Sequence, residues 1–68
     1  MLSEAQAGML AVVIETGAAW TTAPDSPNHV LLEDWASSGF FEQINAPAPF
    51  LVAYRITPAG RSALEDQR

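Results

Sequence analysis

Few side chains in this sequence could do chemistry: one histidine, His29, eight carboxylates and a scatter of serines. His29 would need a partner to serve as an acid, a base or a pH-sensitive group, and none is evident from the sequence. It falls in the first turn of an expected helix, where the positive end of the helix dipole disfavours an imidazolium. A surface or capping role is expected for it. Asp25, Glu33, Asp34 and Glu42 could supply paired carboxylates for acid–base work, but neighbouring carboxylates on an exposed face generally serve solubility. Ser37 and Ser38 have no histidine placed to act as their base, so nucleophilic catalysis has no support. With no cysteine there are no disulfides or thiolates, and one histidine cannot assemble a zinc site of the usual kind. No glycine-rich phosphate loop occurs. The expectation is a protein that is not an enzyme and holds no metal or cofactor.

The surroundings of these residues follow from composition. Sixty-eight residues with 49% apolar and 16% charged side chains make a single domain, 1–68, too apolar for a disordered chain. Eight acids face three bases, all arginine (Arg55, Arg61, Arg68), and residues 1–54 carry six carboxylates with no lysine or arginine. A surface of that sign opposes a sequence-independent grip on phosphates. The arginines are expected to form salt bridges with nearby acids. The longest apolar run, Met9 to Ile14, is well short of the ~20 residues that span a bilayer, and no basic segment precedes it. A cytoplasmic protein without membrane contact is expected.

Three start signals and one period-two run mark the elements. Ser3 and Gln6 have the spacing of a capping box, so a helix should begin near Glu4 and stop near Thr16, closed by Gly17. The segment 18–25 lacks periodicity and reads as an irregular connection. Ser26-Pro27 is a second helix start. Val30, Leu31, Leu32, Trp35 and Ala36 follow at helical spacing, with Glu33 and Asp34 on the wet face and Gly39 at the end. Phe40–Ile44 and Phe50–Ile56 read as two strands of a hairpin joined by a proline-rich loop. In the second, Phe50, Val52, Tyr54 and Ile56 share one face. Thr57-Pro58 opens a last short helix to about Glu65, weakened by Gly60 by ~1 kcal/mol relative to alanine. Trp35, Phe40 and Phe50 read as core.

The stretch from Leu31 to Phe41, followed by Tyr54-Arg55-Ile56-Thr57-Pro58-Ala59-Gly60-Arg61-Ser62-Ala63-Leu64, resembles the recognition helix, wing and closing helix of winged-helix proteins over residues 30–65. The resemblance implies a small α+β, winged-helix-like domain in the order α-α-β-β-α. The helix at the recognition position carries no lysine or arginine. By size and charge alone, the chain also resembles phage-encoded anti-CRISPR proteins, whose carboxylates occupy a groove that would otherwise hold a phosphate backbone.

These readings lead to an acidic protein-binding inhibitor that occupies a basic, nucleic-acid-binding surface of a partner protein. Glu33, Asp34 and Glu42 would supply the charge and Phe41 or Tyr54 the apolar anchor. The alternative is a DNA-binding regulator that reads a duplex with residues 28–38 and has Gln43, Asn45 and Arg55 as its main contacts. A chain this short buries only ~60% of its unfolded surface. A first helix apolar around most of its girth therefore predicts a symmetric homodimer through Met9, Val12 and Val13.

Overall fold

The computed structural model describes residues 2–67. Its elements are α1 (Glu4–Thr16), β1 (Trp20–Thr22), α2 (Pro27–Ser37), β2 (Phe41–Ile44), β3 (Val52–Ile56), α3 (Pro58–Leu64) and a closing 3-10 turn (Glu65–Gln67). The α+β class and the order α-α-β-β-α are present, with β1 added between the first two helices. Trp20-Thr21-Thr22 consists of residues that suit a pleated surface, but three positions are too few to display a period.

All three helices start on the same device. A hydroxyl at the N-cap accepts a hydrogen bond from the backbone N–H three residues on: Ser3 from Gln6 at 3.1 Å, Ser26 from His29 at 3.2 Å, and Thr57 from Gly60 at 3.0 Å. In α1 the box is complete, because the Ser3 N–H donates to Gln6 Oε1 at 3.0 Å. Pro27 and Pro58 occupy first-turn positions, where a missing N–H costs nothing. Gly17, at φ 72°, closes α1. Arg61 of α3 donates from Nη1 to the Ile14 carbonyl at 2.7 Å, a cation at the negative end of the α1 dipole. That contact, with a carbonyl, takes the place of the expected salt bridge. Arg68 lies outside the described residues.

The sheet is antiparallel throughout, in the order β1-β3-β2, so the last strand in sequence is central. Trp20 pairs with Tyr54 and Phe41 with Ile56, which puts these four side chains on one face. Leu10, Val13 and Ile14 of α1, Leu32 of α2 and Leu64 of α3 close over that face. Trp20 meets Phe41 edge-on (centroids 6.4 Å apart), and Phe41 stacks on Trp35 of α2 at 5.3 Å and 14°.

This packing corrects several expectations. Phe41 (2% exposed) and Tyr54 (4%) are core residues and offer no anchor to a partner. Phe50, expected inside, is 71% exposed at the end of the β2–β3 loop, outside the strand whose alternation seemed to include it. Val13 is fully enclosed by its own chain and Met9 is half-buried against the core, so α1 has the cover that the dimer argument assumed it lacked. Of the three proposed interface residues only Val12 stands out into solvent.

Gly60 also changes meaning. A Cβ at this position would overlap the carbonyl oxygen of Phe40, so the glycine allows α3 to sit directly on the turn that follows α2. Gly60→Ala should therefore destabilise: the gain of ~1 kcal/mol in helix propensity is outweighed by an overpacking cost of ~1–3 kcal/mol. Urea denaturation is expected to show a lower midpoint with an unchanged slope.

Candidate protein-docking face

α2 is fixed at both ends before any of its side chains faces solvent. At its start, Ser26 Oγ donates to the Ala23 carbonyl at 2.7 Å and lies 3.2 Å from Thr22 Oγ1. Gln6 Nε2 of α1 donates to Asn28 Oδ1 at 3.0 Å. At its end, Gly39 takes φ 81°, its N–H donates to the Ala36 carbonyl at 3.0 Å, and the Phe40 N–H donates to the Trp35 carbonyl at 2.8 Å. This pair of bonds is a Schellman motif, which satisfies two terminal carbonyls and turns the chain into β2.

Between these ends the helix divides cleanly. Leu32 is buried, and Leu31, Trp35 and Ala36 are partly buried against the core. Val30, Glu33, Asp34 and Ser37 are all exposed, and their i, i+3, i+4, i+7 spacing makes them one outward stripe. The stripe holds two carboxylates, no cation and one large apolar side chain, Val30, at 59% exposure. Asp34 forms no ion pair among the described residues.

Glu42 does not join this stripe. In β2 it alternates with Phe41, so it projects from the opposite face of the sheet, where it pairs across the strands with Arg55. Arg55 Nε donates to Glu42 Oε1 at 2.9 Å, and Nη2 contacts the same oxygen. This is the salt bridge expected for Arg55. Gln43 and Asn45 are exposed along β2 and just beyond it, beside a shallow depression that they share with Ile44.

His29 has two partners. Its Nδ1 accepts the Asp25 N–H at 2.9 Å, and its Nε2 lies 3.0 Å from Glu33 Oε1. An acceptor at Nδ1 places the proton of the neutral ring on Nε2, which donates to Glu33. The expected capping role is present, with an added helical pair at i, i+4 spacing. Asp25 is held at φ 61°, a left-handed conformation uncommon outside glycine. The His29 ring lies 6.2 Å from that of Tyr54.

The exposed apolar residues Val30 and Phe50 were missed in sequence, as was the His29–Glu33 pair. The i, i+4 spacing of His29 and Glu33 was the available signal for the last, and the 30, 33, 34, 37 spacing for Val30. Phe50 carried no such signal, since its position continues the alternation of β3. Among the described residues no cluster of three or more histidines and carboxylates could hold a metal ion, and no helix is long and apolar enough to cross a membrane.

Burial, and after it the nearby Glu33 carboxylate, raises the Tyr54 phenol above its ordinary value. The folded chain then keeps a proton that the unfolded chain releases near pH 10, so this contribution to stability is fully present below that pH and lost as pH rises above it. The chain has a single tyrosine and no lysine, which leaves the alkaline range nearly clear of other titrations. Denaturation from pH 8 to 11 is expected to show falling stability, and Tyr54→Phe to remove most of the fall.

The chain matches no protein-family model, and no curated protein and no solved structure is significantly similar to it.

Proposed function

We propose that this chain is a small acidic protein-binding module that docks through the outward stripe of α2 onto a basic protein surface of the kind that otherwise holds a nucleic acid. The observation that carries the reading is the stripe itself: Val30, Glu33, Asp34 and Ser37 are presented together on a helix fixed at both ends, with no cation among them. Opposite-sign complementarity speeds encounter and orients docking. Val30 takes the anchoring role first expected of Phe41 and Tyr54, because exposed ion pairs contribute only ~0.2–1 kcal/mol each.

The order of α2, hairpin and α3 agrees with the winged-helix resemblance, and the acidic helix at the recognition position supports an inhibitor of the anti-CRISPR type rather than a duplex reader. The use of the arginines supports the same choice. Arg55 pairs with Glu42 and Arg61 bonds the Ile14 carbonyl, so a phosphate would have to compete with an existing partner at each. The reading does not depend on a homodimer.

Two titrations at low salt test it. The unmutated chain is expected to bind a deca-arginine peptide and to form no complex with a nonspecific duplex. Reversal of both acids, Glu33→Lys with Asp34→Lys, should abolish peptide binding while the circular dichroism spectrum stays unchanged, whereas on the regulator reading it would strengthen DNA association and steepen its salt dependence. A tight, sequence-selective complex of the unmutated chain with a duplex would overturn the proposal in favour of the regulator.

A further inference from the structure

The start of α2 differs from that of α1 in the chemistry of the group that reaches back over the cap. Both place a serine hydroxyl under the N–H of the third helical residue, and in both the side chain of that residue reaches back to a backbone N–H ahead of the helix. In α1 the acceptor is the Gln6 amide oxygen, which does not titrate. In α2 it is Nδ1 of His29, the one type of side chain that ordinarily changes charge between pH 5 and 8. A proton at Nδ1 would turn this acceptor into a donor facing the Asp25 N–H, and two donors cannot bond. The Asp25 turn, already at φ 61°, would lose the hydrogen bond that its N–H makes.

The other side of the ring has the opposite response. Nε2 already donates to Glu33, and an imidazolium would bond to that carboxylate more strongly and neutralise it. The groups facing His29 are thus Glu33 from its own helix, the Asp25 backbone from the preceding turn and the Tyr54 phenol from β3, which stays neutral through this range. The side chain of His29 is 15% exposed and that of Glu33 60%, so the proton can arrive from solvent and the carboxylate it neutralises lies on the docking stripe.

We infer that His29 makes the docking face pH-sensitive. Protonation at Nδ1 releases the Asp25 N–H, loosens the first turn of α2 and converts Glu33 from a carboxylate offered to a partner into half of an internal ion pair. Engagement of a basic partner surface therefore weakens once the ring takes its second proton; about pH 7.5 to 5.5 brackets the ordinary titration of an imidazole. This inference names the regulation of the site proposed above and, in its binding half, rests on that reading.

The experiment has two arms on the full chain. In the first, ¹H–¹⁵N spectra are recorded across this pH range, above the ordinary titration of carboxylates. The Asp25 amide is expected to move with the same midpoint as the His29 ring and to exchange faster with solvent at the acid end. Glu33→Gln, which keeps the cap, should preserve this linkage. In the second arm, affinity for the deca-arginine peptide should fall about two- to fivefold between pH 7.5 and 5.5, the size of one exposed ion pair. His29→Gln should bind with no such slope, because glutamine can accept the Asp25 N–H and does not titrate. An Asp25 amide indifferent to the His29 titration would overturn the inference, as would an unchanged slope in His29→Gln. If the peptide fails to bind at any pH, the docking reading and the partner-release half of the inference fall together, while the Asp25 titration still decides the cap.

Discussion

The fold depends on a close approach between the turn after α2 and the start of α3. Thr57 joins the two segments with two hydrogen bonds and caps α3 with a third. Its N–H donates to the Phe40 carbonyl at 2.9 Å, its hydroxyl donates to the Gly39 carbonyl at 2.7 Å, and the same oxygen accepts the Gly60 N–H. Gly60 lies so near Phe40 that no side chain fits between them. This contact sets where the hairpin begins and ends: Phe41 and Ile56, the residues just inside it, form the first pair of the β2–β3 register. A one-residue slip would send every side chain of a strand to the other face. The position of Phe41 against Trp35, and with it the direction in which α2 presents its acidic stripe, follows from the clamp.

Local rules were legible in the sequence and non-local ones were not. The helix boundaries were readable because each depends on neighbours within four residues: a hydroxyl three positions ahead of its donor, a proline in the first turn, and Gly17 and Gly39 at left-handed positions. β1 was invisible because its partners in β3 lie 30 to 34 residues away and Trp20-Thr21-Thr22 has no period of its own. Phe40 was read as core and Phe41 as an anchor for the same reason, since only the register with Ile56 decides which ring faces the core: Phe41 enters it and Phe40 is partly buried against it. Glu33 and Asp34 were correctly placed on the wet face by helical spacing. Glu42 was grouped with them only because sequence proximity says nothing about which side of a sheet a residue faces.

The same distinction explains the charges. An excess of carboxylates was evident from composition, but the use of the cations was not. Arg61 answers a helix terminus formed 47 residues earlier, and Arg55 answers the residue opposite it in the sheet. Both contacts hold positive charge away from α2, and the two charges on its stripe are both negative. The exposed pair between Arg55 and Glu42 adds little stability. Its effect is to keep the outer face of the hairpin near neutral while the helix stays acidic.

The central place of β3 has a temporal consequence. Because the sheet runs β1-β3-β2, neither outer strand has a hydrogen-bonding neighbour until residues 52–56 exist, and the turn between α2 and β2 is not clamped until Thr57 and Gly60 follow them. During synthesis the residues of α1 and α2 precede the strand that organises the cover of Leu10, Val13 and Leu32. Long-range pairing of this kind slows folding, and loop closure must precede the contacts that reward it. Until then the growing chain has only the local caps of two helices too short to be stable alone, and its apolar side chains are kept from their neighbours by six carboxylates made within the first 42 residues, ahead of the first arginine.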